Sequence, residues 1–181
     1  MDVLQLYHDT GAYLSGHFLL ASGRHSPRFL QSTTVTQHPE HADRLGVALA
    51  GLFGDLQPDF VIGPAMGGIV LAYTVARALG VRALFAEKDG AGGMKIRDAF
   101  EISPGESFLV VEDVVTTGGS VKKTIAAAER RGGVCIGVGG IIDRGLSDFG
   151  RELRALARLE FPTYDPADCP LCRQGIPLEE V

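Results

Sequence analysis

The segment Phe108-Leu109-Val110-Val111-Glu112-Asp113-Val114-Val115-Thr116-Thr117-Gly118-Gly119-Ser120 constrains the fold more than any other part of the chain. A run that is apolar at every residue has no face to offer water, so Phe108 to Glu112 reads as a strand covered on both sides. Strands of that kind belong to parallel sheets, whose crossovers are helices, and the chain supplies the helices at the required intervals. From Pro58 onward it alternates: strand Asp59 to Gly63, helix Gly68 to Leu79, strand Ala83 to Glu87, strand Phe108 to Glu112, helix Ser120 to Arg131 and strand Val134 to Asp143. The expected fold is therefore α/β, a doubly wound and mostly parallel sheet.

The flanks are less regular. Asp2 is placed to cap a short helix carrying Val3, Leu4, Leu6 and Tyr7, which Thr10-Gly11 would end. Gly16 to Gln31 reads as two short strands around a Ser22-Gly23 turn, with Pro27 marking an edge, and residues 1–37 together read as a small N-terminal hood. Beginning at Pro39, a helix is expected from Ala42, Leu45, Leu49, Leu52 and Phe53, spaced three and four apart up to Gly54. Between the strands Ala83 to Glu87 and Phe108 to Glu112 lies a glycine-rich interruption, residues 88–105, with short extended pieces at Met94 to Ile96 and Phe100 to Ile102; it reads as a flexible hairpin or lid. Leu153 to Leu159 alternates in part as a further strand, and the proline-containing tail 160–181 is expected to wrap the surface. At 181 residues all of this is one domain, with its α/β core at 58–145.

Composition removes several classes of function. A formal net charge of -5 and the absence of any run of five like charges leave no broad basic surface, so nucleic acid is not an expected partner. No window is apolar for long enough to span a membrane, and Met1 to Leu14 lacks a basic flank and apolar stretch, which points to the cytoplasm. Three cysteines argue against a disulfide framework, and Cys135, inside an apolar strand, reads as a buried thiol. Cys169 and Cys172 have metal-site spacing, but zinc needs four ligands and no second Cys-x-x-Cys or downstream histidine follows, so a half-site in a dimer is the form such a site would take. His38 and His41 flank Glu40 at a helix start, where helix capping explains them.

The chemistry concentrates at strand ends. Thr116 to Ser120 opens a helix with hydroxyls, successive backbone N–H groups and glycines that permit close approach, a fitting cradle for a phosphate monoester. It lacks the Gly-Lys-Ser/Thr ending of nucleoside-triphosphate loops and the spacing of dinucleotide loops. Glu112 and Asp113 stand where open α/β sheets bind ligands, and suit two neighbouring ribose hydroxyls or hydrated magnesium. Pattern alone leaves open that the loop is only a turn and cap and that the acids are solvated. A second glycine loop, Gly63-Pro64-Ala65-Met66-Gly67-Gly68, opens the next helix in the same way.

The thirteen-residue segment resembles the signature of type I phosphoribosyltransferases, and Gly16-His17-Phe18 with Ser22 to Phe29 is similar to the hood of the orotate-specific members. The resemblance runs over nearly the whole chain. It implies transfer of phosphoribosyl from phosphoribosyl pyrophosphate to orotate in pyrimidine biosynthesis, with Mg2+ carried by the substrate and no direct protein ligands. It implies further that Gly67, Lys88, Glu112, Asp113, Val114, Val115, Thr116, Thr117, Gly118, Gly119 and Ser120 contact phosphoribosyl pyrophosphate, with Lys88 and Asp113 as the catalytic residues. Phe29, Thr116 and Arg144 would hold orotate, and a homodimer is expected on the same ground. Taken alone, an Asp143-Arg144 pair is more often a surface ion pair. The match frays where many members carry lysines, at Ala21 and Gly67, and in a shortened lid, where Lys95 and Arg97 are candidates to reach a neighbour's pyrophosphate.

Overall fold

The computed structural model describes all residues, 1–181, and builds them around one sheet. Its strands are β3 (Phe60–Pro64), β4 (Arg82–Lys88), β5 (Met94–Ile96), β6 (Ser107–Val115), β7 (Val134–Asp143) and β8 (Leu153–Arg158). They lie in the order β5-β4-β3-β6-β7-β8, and only the β4–β5 pair is antiparallel. Helices α3 (Pro39–Gly51) and α4 (Gly67–Leu79) cover one face and α5 (Gly119–Glu129) the other, giving two separate apolar clusters, one on each side. The double cover explains why β3 and the first half of β6 carry no polar side chain inside the sheet.

A second sheet, three strands in the order β2-β1-β9, forms the hood: β1 (Tyr13–Leu19), β2 (His25–Leu30) and β9 (Glu179–Glu180). Helix α1 (Val3–Asp9) precedes it, capped as expected by the Asp2 carboxylate, which accepts from the Gln5 amide at 3.0 Å. A short α2 (Ser32–Thr36), not foreseen, fastens the hood to the core: the fully buried Tyr7 hydroxyl lies 2.8 Å from Ser32 Oγ.

Three expectations need correction. Phe100 to Ile102 is not a strand; Phe100 instead sets its ring edge-on to Phe85, centroids 5.1 Å apart, and the segment is held by side-chain packing. The tail is more than a wrap: a 3-10 turn (Pro166–Asp168), α6 (Pro170–Arg173) and β9 return it to the hood, where β9 pairs in parallel with β1. His38 occupies the N-cap position of α3 but makes no side-chain hydrogen bond to it. In the glycine-rich interruption, Met94 and Ile96 are buried, and the turn between β4 and β5 is an exposed tip at residues 89–92. That tip is ordered by Asp89, whose carboxylate accepts from the Ala91 and Gly93 amides at 2.8 Å each.

Helices α3 and α4 approach so closely at Gly46 that a Cβ there would stand 2.5 Å from Thr74 Cβ and 2.7 Å from its backbone carbon. Ala ordinarily gains about 1 kcal/mol over Gly inside a helix. Here the sign should reverse, with Gly46→Ala losing about 1–3 kcal/mol in denaturant unfolding through overpacking. Gly51→Ala, at a position with nothing within 4 Å, should be neutral or stabilising in the same measurement.

Candidate functional site

All the chemically informative loops leave the sheet at the carboxyl ends of parallel strands, and so they meet. Strand β6 runs beyond Glu112, because β7 continues alongside it and pairs Val114 with Ile142 and Val115 with Asp143. Glu112 and Asp113 therefore sit inside a strand, on opposite faces of the pleat, rather than in a loop. Asp113 points with Leu109 and Val111 toward the α4 side. There it meets the loop after β3: a Cβ on Gly67 would stand 2.8 Å and 2.9 Å from the two Asp113 carboxylate oxygens. Gly68 is equally confined: a Cβ there would stand 2.9 Å from Pro64 Cδ and 3.2 Å from the Val111 carbonyl oxygen. These glycines are required by contact with the strand that bears the acids. The Ala65 amide donates to the Ala86 carbonyl at 2.7 Å, tying the same loop to β4.

Burial, and next the adjacent Asp113 carboxylate, push the Glu112 carboxyl well above its usual range. A half-covered acid pair with no basic side chain bonded to it is a place prepared for hydroxyls or a cation. Beyond it the chain turns through Gly118, whose φ of 74° only glycine adopts freely, into the first turn of α5. Thr116, Thr117, Gly119 and Ser120 line this turn, so their amides and hydroxyls face the positive end of the helix dipole.

Across the acids from Gly67 lies a cavity of about 300 Å³, roofed by the hood. Its walls include Phe29, Arg24 and Arg28 from the hood, Thr116 and Thr117 from the cradle, and Arg144 from the end of β7. Three guanidinium groups border it and no carboxylate does. Arg144 is no surface ion pair: it is 5% exposed, its backbone amide donates to Val115 O at 2.9 Å, and Asp143 turns away to accept from the Gly145 amide at 2.7 Å. The Arg144 guanidinium lies 3.2 Å above the centre of the Phe161 ring and Nη2 donates to Phe161 O at 3.0 Å, while Nε is buried with no partner. Burial depresses its pKa. A buried cation with an unused N–H, beside a cavity, calls for an anion.

Lys88 ends β4, exposed, on the same edge of the sheet as Gly67 and Asp113. Lys95 and Arg97 are engaged within the chain: both pair with Glu87, at 3.7 Å and 2.9 Å. Sequence reasoning missed Arg24, Arg28 and Phe161 as cavity walls. The arginines lay inside a motif quoted whole, while Phe161 reaches the site only because the tail folds back.

A family profile described as the phosphoribosyl transferase domain matches residues 31–148. The chain is 62% identical to an orotate phosphoribosyltransferase of Thermus thermophilus over 183 aligned positions, covering 100% of both. It is 50% identical to the Deinococcus radiodurans enzyme of that name, over 99% of this chain and 98% of the relative. Among solved structures, orotate phosphoribosyltransferase from Aeropyrum pernix superposes with a TM-score of 0.73 at 26% identity, covering 87% of this chain and 93% of that one. Adenine phosphoribosyltransferase from Thermoanaerobacter pseudethanolicus shares the fold, with a TM-score of 0.64 at 20% identity over 73% of this chain and 88% of that one.

The Glu112 environment has a measurable consequence. Its folded pKa lies above the ordinary 4.5, so the unfolded chain releases this proton first as pH rises, and stability falls between the two values. Glu112→Gln removes that penalty. In thermal melts its Tm should exceed that of the parent at pH 7–8, by roughly 2–4 °C for each kcal/mol relieved, with the gap closing below pH 4. The ligand-binding function should meanwhile decline.

Proposed function

From the premise that the chain belongs to the orotate phosphoribosyltransferase family, we propose that it transfers the 5-phosphoribosyl group of phosphoribosyl pyrophosphate to N1 of orotate, releasing pyrophosphate, in pyrimidine biosynthesis. The observation that carries the base assignment is the cavity bordered by Arg24, Arg28 and Arg144 and free of carboxylates. Orotate is a planar anion, and a guanidinium with an unpaired N–H matches its carboxylate. Adenine has no carboxylate and would leave three cations uncompensated. Since adenine-specific relatives share the fold, the cavity rather than the sheet supports the reading.

In the reaction the bond from ribose C1 to the pyrophosphate oxygen breaks as orotate N1 bonds to C1, so positive charge develops on the ribose and negative charge on the leaving group. Catalysis then consists of placing groups where those charges appear. The Thr116 to Ser120 turn holds the 5′-phosphate with amides and hydroxyls. Glu112 and Asp113 accept hydrogen bonds from the two ribose hydroxyls and oppose the developing ring charge. Gly67 lets the loop amides come up to the pyrophosphate, and Lys88 offers it a cation. Phe29, Thr116 and Arg144 orient the base. Oxygen donors beside the strand end suit hydrated Mg2+, which would supply countercharge to the pyrophosphate while bound mainly to substrate. The exposed tip at 89–92 closes over the leaving group and excludes water.

A homodimer fits the outer side of α3 and α4, where Val47, Val70 and Tyr73 are exposed at 63%, 40% and 61%. No helix is long and apolar enough to cross a membrane, and we place the enzyme in the cytoplasm, where its thiols stay reduced.

The assignment is tested by the fall in orotate absorbance on mixing with phosphoribosyl pyrophosphate and Mg2+, with adenine and uracil in parallel; turnover of orotate alone is expected. Arg144→Ala should raise the KM for orotate about 10- to 100-fold, from the ~1.5–3 kcal/mol of a hydrogen bond to a charged group, with the KM for phosphoribosyl pyrophosphate little changed. Equal loss for both substrates would remove Arg144 from the base site. Tyr73→Glu should shift the assembly from dimer to monomer in light scattering; an unchanged mass would reject this face as the interface.

A further inference from the structure

The hood holds a cluster that the reaction does not use. His17 on β1, His25 on β2, and Cys169 and Cys172 around α6 bring one ligand atom each to a common centre, all within 4.8 Å of one another. His17 is 1% exposed, His25 5% and Cys169 1%. His17 Nε2 lies 2.9 Å from His25 Nδ1, 3.5 Å from Cys169 Sγ and 3.7 Å from Cys172 Sγ. Cys172 Sγ lies 3.3 Å from His25 Nδ1.

The three N···S separations, at 3.3, 3.5 and 3.7 Å, match those of a tetrahedral site, and the N···N separation of 2.9 Å is somewhat shorter. Zinc binds sulfur at about 2.3 Å and imidazole nitrogen at about 2.0–2.1 Å, which sets neighbouring ligands roughly 3.3 Å apart for N···N, 3.5 Å for N···S and 3.8 Å for S···S. The other ring nitrogen of His17 adds an independent sign. Nδ1 donates to the Ile176 carbonyl at 2.8 Å, which fixes the tautomer with the lone pair on Nε2, directed at the cluster. A backbone carbonyl in that role is the usual support of a metal-bound histidine.

We propose that His17 Nε2, His25 Nδ1, Cys169 Sγ and Cys172 Sγ form a structural zinc site that clamps the C-terminal tail to the N-terminal hood. Binding displaces the two thiol protons to solvent, and the closed four-ligand set leaves no open position for catalysis. The clamp spans the chain from residue 17 to residue 172. It anchors β2 four residues before Phe29, and it fixes the tail segment in which Thr163 accepts from Arg24 Nε at 2.9 Å. The metal therefore steadies the hood side of the base cavity without touching substrate.

The test uses the full-length protein, purified without a metal-binding tag. Elemental analysis should find one zinc per chain, absent from a Cys169→Ser/Cys172→Ser variant. Stripped protein titrated with Co2+ should develop the intense visible bands and near-ultraviolet thiolate charge-transfer band of a tetrahedral S2N2 site, and added zinc should shield both cysteines from alkylation. Stripping should also lower the Tm and raise the KM for orotate more than that for phosphoribosyl pyrophosphate. That kinetic readout rests on the proposed base cavity; the metal content and spectrum do not. Alkylation of Cys169 and Cys172 unaffected by zinc together with no tetrahedral cobalt spectrum, or a native Cys169–Cys172 disulfide, would overturn the proposal.

Discussion

Asp113 and Gly67 are in van der Waals contact across two neighbouring strand ends, and much of the molecule is arranged to hold them there. A side chain at residue 67 would displace the carboxylate, while a β3–α4 turn of ordinary width would leave it in solvent. The closeness is set by β3 and β6 pairing in parallel through Phe60–Phe108, Val61–Leu109 and Ile62–Val110, every one of them fully buried. Phe60 and Phe108 stack nearly parallel, interplanar angle 17°, on the face away from α4, which fixes the register one strand spacing from the site. A one-residue slip would exchange the faces of Glu112 and Asp113 and bring Glu112 against the glycine loop. Hydrophobic register is thus what aims the acids.

The acid pair carries an unfavourable term that the apolar sheet offsets. Glu112 is held where its charged form is poorly solvated and where Asp113 repels it. Such local destabilisation survives because the two clusters on either side of the sheet stabilise the strand as a whole. Ligand hydroxyls or a hydrated cation restore the lost solvation, so affinity arises in part from relief of a cost already present in the free protein.

What was legible in the sequence was local. Apolar runs located β3 and β7 to within a residue at each end and β6 only as far as Glu112, three residues short of its end, while α3 followed from three- and four-residue spacing and α4 and α5 from the strand–helix alternation. The Thr116 to Ser120 loop stood out because glycines and hydroxyls there follow a strand-end acid pair. Features depending on distant segments were illegible. Asp143-Arg144 reads as a surface pair until the tail lays Phe161 beneath the guanidinium. Cys169-x-x-Cys172 lacks partners in any downstream window, since His17 and His25 lie some 150 residues upstream, and they meet because the tail folds back on the hood through the His25–Tyr164 bridge and the pairing of β9 with β1. Lys95 and Arg97 look free until the β4–β5 register sets Lys95 opposite Glu87.

That division between local and distant signals has a mechanical counterpart. The phosphate cradle, acids and glycine loop belong to contiguous β–loop–α units inside a buried sheet, so their geometry is determined once the sheet forms. The base cavity shares Val114, Thr116 and Thr117 with the unit that carries the cradle, but the rest of its wall comes from the hood, the end of β7 and the tail. Its hood sheet is small: β9 contributes two residues, both exposed, and pairs with β1 at only two positions. A sheet of that size buries too little apolar surface to hold by itself, and small folds in this position are commonly fastened by cross-links or metals. The Arg24–Thr163 bonds and the His25–Tyr164 bridge, exchanging hydrogen bonds at 2.8 Å and 2.9 Å, tie hood to tail at the cavity mouth. The four-residue cluster ties them again behind it. The placement of Phe161 under Arg144 depends on this second, weaker assembly. On the proposed function, the sheet would position the phosphoribosyl group and the hood-to-tail clasp would set which base is held against it.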